Sequence, residues 1–179
     1  MANTNSPNGF TPAYHMSGGT IRASEFAIAS ATDASIFTGD VVNLSSGLVI
    51  QGTATGAPLG VFAGVEYQAT DGSVVFSNMW TADTATLGSA NAKAYVYSDP
   101  DIVYEAQASA TPTQASIGTT NTISTTAGDS NTGRSKEGVT TTTSSGIATV
   151  VGFVDRPDNS IGQYARMHVI FPASVFGNN

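Results

Sequence analysis

Two histidines, His15 and His168, are the natural first candidates for general-base chemistry in this chain, because unperturbed imidazole titrates near neutral pH. His168 sits in the run 161–171, where it alternates with apolar residues. That pattern reads as a strand histidine on the face opposite a core. His15 lies in a stretch rich in Gly, Pro and Asn close to the N-terminus. A Ser–His–Asp triad is recognised by geometry and not by order in the chain, so a triad stays open at this stage. No G-x-S-x-G elbow is present, and in so hydroxyl-rich a chain, Ser–Asp neighbours carry little information. Asp99 and Asp101 form a close carboxylate pair, the residue type that glycoside hydrolysis uses. Flanking Pro100, they read instead as turn formers. The segment Asp129-Ser130-Asn131-Thr132-Gly133 begins like a calcium loop, but it lacks the fifth-position ligand and the closing Glu of an EF-hand. HExxH, Walker A and dinucleotide-binding signatures are absent. With no cysteine, disulfides, thiolate metal sites and a Cys nucleophile are excluded. The residues therefore point to a protein that is not an enzyme and carries no cofactor and no metal.

Composition narrows the partners. Lys and Arg number 6 against 13 Asp and Glu, a net charge of −7. Arg22, Lys93, Arg134, Lys136, Arg156 and Arg166 are scattered. Nucleic-acid binding needs a basic footprint, and anionic lipid repels an acidic surface, so neither nucleic acid nor membrane is expected as a partner. Charged residues make up only 11% of the chain while hydrophobic residues make up 40%. A core is possible, and its surface must be covered by Ser, Thr, Asn and Gly, a composition common where proteins pack against copies of themselves or against other proteins. No basic and apolar leader opens the sequence and no apolar run is long enough to cross a bilayer. The expectation is synthesis in a cytoplasm and solubility until assembly.

The elements that would position these residues are strands. In LGVFAGVEY (59–67), Leu59, Val61, Ala63, Val65 and Tyr67 alternate with Phe62 and Glu66, the period of two of a buried strand. Gly60 and Gly64 inside it predict a bend, a bulge or close approach of another backbone. Turn signals at Gly39-Asp40, Ser46-Gly47, Asp71-Gly72, Asp99-Pro100 and Pro157-Asp158-Asn159 punctuate short apolar runs. Turns about every ten residues predict an all-β fold, a single compact β-barrel or β-sandwich. Residues 93–97 and 102–107 read as a hairpin across Asp99-Pro100-Asp101, with Tyr95, Tyr97 and Tyr104 along it. Residues 147–156 and 161–171 read as a closing hairpin with Ala165, Met167, Val169 and Phe171 facing the core. Residues 1–19 read as an extended N-terminal arm with Phe10, Tyr14 and Met16 as apolar anchors, and residues 20–179 as the β-rich domain. Within that domain 108–146 is a Ser/Thr-rich insertion, an elaborated loop or a set of short irregular strands, with one short helical turn capped by Thr111 and opened by Pro112. Trp80, at a strand end, reads as a core or rim anchor.

Four stretches in order carry a resemblance: SGGTIRASEF (17–26), SIFTGDVVNL with GAPLGVFAGVEY (35–44 and 56–67), AYVYSDPDIVYEAQ (94–107) and GFVDRPDNSIGQYARMHV (152–169). Together they resemble small capsid-associated structural proteins of tailed bacteriophages, marine-phage-like, of the head decoration or cement type. None is a catalytic motif, so the resemblance rests on their order, and it covers most of the chain outside 108–146. It implies a virion protein made in the host cytoplasm. Such a protein binds the outer surface of the expanded head between capsomers of the major capsid protein, commonly as a homotrimer. Phe10, Tyr14, Met16 and Trp80 are then the candidate contacts with capsid protein. Deleting residues 1–19 is expected to leave a folded domain that no longer holds the capsid. The alternative is a receptor- or glycan-binding module of a tail or fibre, with Trp80, Tyr95, Tyr97 and Tyr104 as sugar platforms.

Overall fold

The computed structural model describes residues 3–177; residues 1–2 of the expected arm and 178–179 lie outside it. The chain is all-β, with two single 3-10 turns, Leu87–Ser89 and Gln114–Ser116, as its helical content. In chain order the first strands are β1 (Thr11–His15), β2 (Ser24–Ile28), β3 (Ile36–Phe37), β4 (Val41–Ser45) and β5 (Leu48–Gln51). Next come β6 (Gly60–Gln68), β7 (Val74–Ser77), β8 (Met79–Trp80), β9 (Ala92–Tyr97) and β10 (Ile102–Gln107). The last are β11 (Thr120–Asn121), β12 (Ile123–Ser124), β13 (Gly138–Val139), β14 (Ala148–Phe153) and β15 (Arg166–Ile170).

One sheet runs β4-β5-β2-β9-β6-β7, and a further pairing of β4 with β6 closes its first five strands into a small barrel. Closure satisfies the edges that an open sheet leaves bare, so within this sheet β7 is the strand left with a free edge. The other main sheet is β1-β10-β15-β14-β11, antiparallel throughout. Two short pairs, β3-β8 and β12-β13, plug the margins.

β4 and β6 form the wall between two cores. Neighbouring residues of one strand point to opposite faces. Accordingly Val42 and Phe62 fill the barrel with Ile28, Ile36, Leu59, Val65 and Trp80. Val41 and Val61 pack on the other side with Ile102, Tyr104, Met167 and Phe171. The expected face of β6 is therefore split. Val61 faces one core, and Phe62 and Val65, three residues apart, share the other. The ladder to β9 slips between Phe62 and Gly64. Gly64 sits at φ +153°, a backbone that residues with a side chain rarely adopt. The bulge reverses the alternation from there on.

Other expectations are corrected or narrowed. β9 and β10 are joined by the Asp99-Pro100 turn but do not form a hairpin. Both edges of β9 are occupied, by β2 and β6, so β10 crosses to the other sheet and pairs with β1 and β15. Of the two readings of 108–146, the set of short strands is the one present. β11, β12 and β13 stitch it down, Ile123 and Val139 are buried in the core, and hydroxyl pairs such as Thr120–Thr149 and Thr122–Thr140, each 2.7 Å apart, replace the sparse apolar contacts. Its short turn starts later than expected, with Thr113 and Ser116 capping each other reciprocally. Finally, the N-terminal arm is part of a sheet: β1 pairs with β10, and Phe10 is 1% exposed. The closing strands β14 and β15 pair as a hairpin, with Ala165, Met167, Val169 and Phe171 buried.

Candidate functional site

The Asp99 corner and the end of β1 bring the chemistry-bearing residues together. His15 Nε2 lies 3.1 Å from Asp99 Oδ2, and Ser17 Oγ lies 3.0 Å from His15 Nδ1. A serine, an imidazole and a carboxylate thus stand in series, the outline of a triad. The remaining bonds decide what the group does. The backbone N–H groups of Ser17 and Gly19 also donate to Nδ1, each at 3.3 Å. A nitrogen that accepts two amide N–H groups is unprotonated, so the ring proton is on Nε2 and points at Asp99. Asp99 in turn accepts the Asp101 N–H at 2.9 Å. That backbone bond, then the bond from His15, holds the Asp99 carboxyl below the usual carboxylate range. The imidazole is saturated by its own turn, and the cluster fastens residues 15–19 to the corner between the sheets.

Among the described residues, His15, Asp99 and Asp101 are also the group that brings three potential metal-ligand atoms within 4.8 Å of one another. The tautomer opposes that use. A cation at Nε2 would displace the proton while Nδ1 stays an acceptor, leaving an imidazolate. The calcium-like segment is likewise committed to itself: Asp129 Oδ1 accepts the Asn131 N–H at 2.9 Å and Oδ2 lies 3.7 Å from Lys136 Nζ.

His168 lies on the outer face of its sheet, edge-on to the Tyr14 ring at 5.3 Å. Beside it Glu105 pairs with both Arg156 and Arg166. The grooves of the surface have mixed polar and apolar linings. One, lined by Asn3, Ser6, Gln107, Asn159, Tyr164 and Arg166, flanks the N-terminal segment.

Of the four expected contact residues, the structure separates two from two. Phe10 is in the core against Phe171, ring centres 5.3 Å apart. Trp80 is 0% exposed inside the barrel and meets Tyr67 edge-on. Neither side chain can touch a partner in this fold, and with Tyr104 2% exposed the glycan platform loses its main rings. Tyr14 and Met16 are exposed.

Two features escape sequence reasoning. On β7, Val74 and Phe76 are 59% and 71% exposed. The bond from Ala69 N to Ser73 O sets the register of the β6–β7 ladder. In the alternation of an antiparallel pair, this turns the N–H and C=O groups of Val74 and Phe76 away from β6. The apolar side chains and the bare backbone coincide. The second feature is a buried pair of acids, Asp40 and Glu137, each 1% exposed. Alternation across 133–137, with Arg134 and Lys136 outward and Ser135 and Glu137 inward, is the signal that places Glu137 inside. Comparison of the chain with family models, curated proteins and solved structures returned no match.

Proposed function

We propose that the protein is a capsid decoration protein of a tailed bacteriophage, which binds the outer surface of the expanded head and clamps neighbouring capsomers. The observation that carries this reading is the free edge β7. Val74 and Phe76 are the two most exposed large apolar side chains of the chain's described part, and they stand on a strand whose outer hydrogen-bonding edge is open. Gln68, Asn91, Glu66 and Lys93 line the adjacent groove beside Val74. An apolar edge rimmed by polar groups fits a protein partner. The order of the four phage-like stretches supports the same reading, and the saturated His15 cluster favours binding over catalysis. The mechanism is linkage. A protein that binds the mature lattice and not its disrupted form stabilises that lattice by mass action, and many copies, as trimers between capsomers, add avidity.

The test is cosedimentation with expanded capsids lacking the protein, read as copies bound at saturation. Saturation at a regular multiple of the capsid subunits, with a higher capsid melting temperature, is expected. Phe76→Asp should abolish binding while the fold is retained. No binding by the wild-type protein, or only a handful of copies per particle, would refute the assignment.

A further inference from the structure

Three segments meet at one buried polar knot. Turn 37–41 supplies Asp40, whose Oδ2 accepts the Phe37 N–H at 2.8 Å. Strip 133–139 supplies Glu137, whose Oε2 accepts the Val41 N–H at 2.8 Å, and Ser135, whose N–H donates to Thr38 O at 3.0 Å. The N-terminal segment closes over them. Phe10 N–H donates to Gly39 O at 2.9 Å, and Gly9 lies so close that a β-carbon there would fall 2.5 Å from Ser135 Cβ. The other carboxyl oxygens, Asp40 Oδ1 and Glu137 Oε1, are buried without a hydrogen-bond partner.

No cation offsets these acids. On the strip itself, Arg134 and Lys136 are on the solvent side, donating to Asn8 Oδ1 and facing Asp129. The N-terminal segment 8–10 carries no titratable side chain. From β10, Gln107 backs Gly138, and Glu105 is taken by Arg156 and Arg166. The charged group that acts on Glu137 is Asp40, of the same sign. Two like charges buried together cannot both be ionised cheaply; the site tolerates one.

We propose that the Asp40–Glu137 pair is a proton-operated latch: with Glu137 protonated it holds strip 133–139 and the N-terminal segment on the barrel, and release of that proton to solvent frees both together. Opening lets the Glu137 carboxylate reach water, and it can do so only if the strip swings out, which breaks the bonds at Val41 and Thr38 and uncovers Gly9. Burial first, then the Asp40 charge, pushes the Glu137 carboxyl up to about 9 in the closed form, against about 4.3 when solvated. The open fraction therefore climbs across the whole interval between those values, by about tenfold per pH unit.

Arg134 and Lys136 make the latch readable, because trypsin cuts there only when the strip is loose. Cleavage tracks the open population when reclosing is fast. The experiment follows tryptic cleavage at these two sites by mass spectrometry between about pH 6.5 and 8.5, normalised to an unstructured peptide. The wild-type rate is expected to rise about tenfold per pH unit and the Glu137→Gln rate to stay level. Equal slopes in the two proteins would overturn the latch. Asp40→Asn provides a second arm that survives a folding failure of the first. Without the like charge, Glu137 ionises in place at lower pH, so the rise must end earlier; a rise as long as the wild type's also overturns it. Deuterium uptake at residues 9–10, corrected for base-catalysed exchange, should rise in parallel. Level uptake there would overturn the coupling to the N-terminal segment.

Discussion

Replacing Phe10 by Ala separates a docked N-terminus from a free one. Phe10 is 1% exposed and packs on Phe171, which packs in turn on Tyr104 at 5.4 Å. Truncating a buried Phe costs about 3–5 kcal/mol, the transfer term plus the cavity it leaves. Relaxation from the N-terminal side is limited, because the Phe10 N–H is fixed to Gly39 and β1 is paired with β10; the upper half of that range is expected. Met16, six residues on and 58% exposed, is the matched control. A surface substitution of that kind stays within about 0.5 kcal/mol. Trp80 is the single tryptophan and is fully buried in the other core, so its fluorescence in urea reports global unfolding without labelling. With a denaturant dependence of about 2 kcal/mol per M, Phe10→Ala should lower the midpoint by about 2 M and Met16→Ala should leave it in place. A Phe10→Ala loss below about 1 kcal/mol, indistinguishable from the Met16 control, would mean that the segment is not held in the core.

Other outcomes follow from the same packing. Against the expectation of a folded domain, deleting residues 1–19 should yield a protein that fails to fold cooperatively, since it strips β1 from β10 and uncovers Phe171, whereas deleting residues 1–8 should leave the urea transition cooperative. Gly60→Ala should cost about 3 kcal/mol by overpacking, because its β-carbon would lie 2.0 Å from Tyr97 O, a backbone atom with no freedom to yield; Gly152→Ala, with open space around it, should change the same denaturation midpoint little. Global stability should depend on pH through Glu137. Its folded pKa is raised to about 9, so its contribution is complete below about pH 4.3 and is lost as pH rises towards 9, at about 1.4 kcal/mol per pH unit. Urea titrations at pH 6, 7 and 8 should show that slope in the wild type and lack it in Glu137→Gln.

The fold class was legible because it depends on local signals. Period-two runs and turn dipeptides mark strands wherever they fall, and Asp71-Gly72 and Ser46-Gly47 close hairpins where they stand. Pairing was less legible, because it depends on which edges are still free. The tyrosine run 93–97 and the run 102–107 have every local mark of a hairpin, yet barrel closure had already filled both edges of β9. The split of Val61 and Phe62 between cores needs the knowledge that β6 is a shared wall, and the reversal after Gly64 needs the bulge. A glycine in the strand signals that something happens there without saying which.

For the site, residue type misled where geometry decides. His15, Asp99 and Ser17 are the residues catalysis would choose, and the structure spends them on a turn: three donors converge on one ring nitrogen, and the carboxylate fixes the tautomer. Phe10 and Trp80 have the chemistry of contact anchors and are consumed by the two cores. What remains outside is less conspicuous in sequence, a Val and a Phe in an ordinary alternating run. They become a surface only because β7 extends beyond the closed part of the barrel. A partner surface on an all-β protein is therefore set by where closure stops. That is a property of the strand order, and this is why the proposed contact is placed on β7 and not on the aromatics of the N-terminal segment.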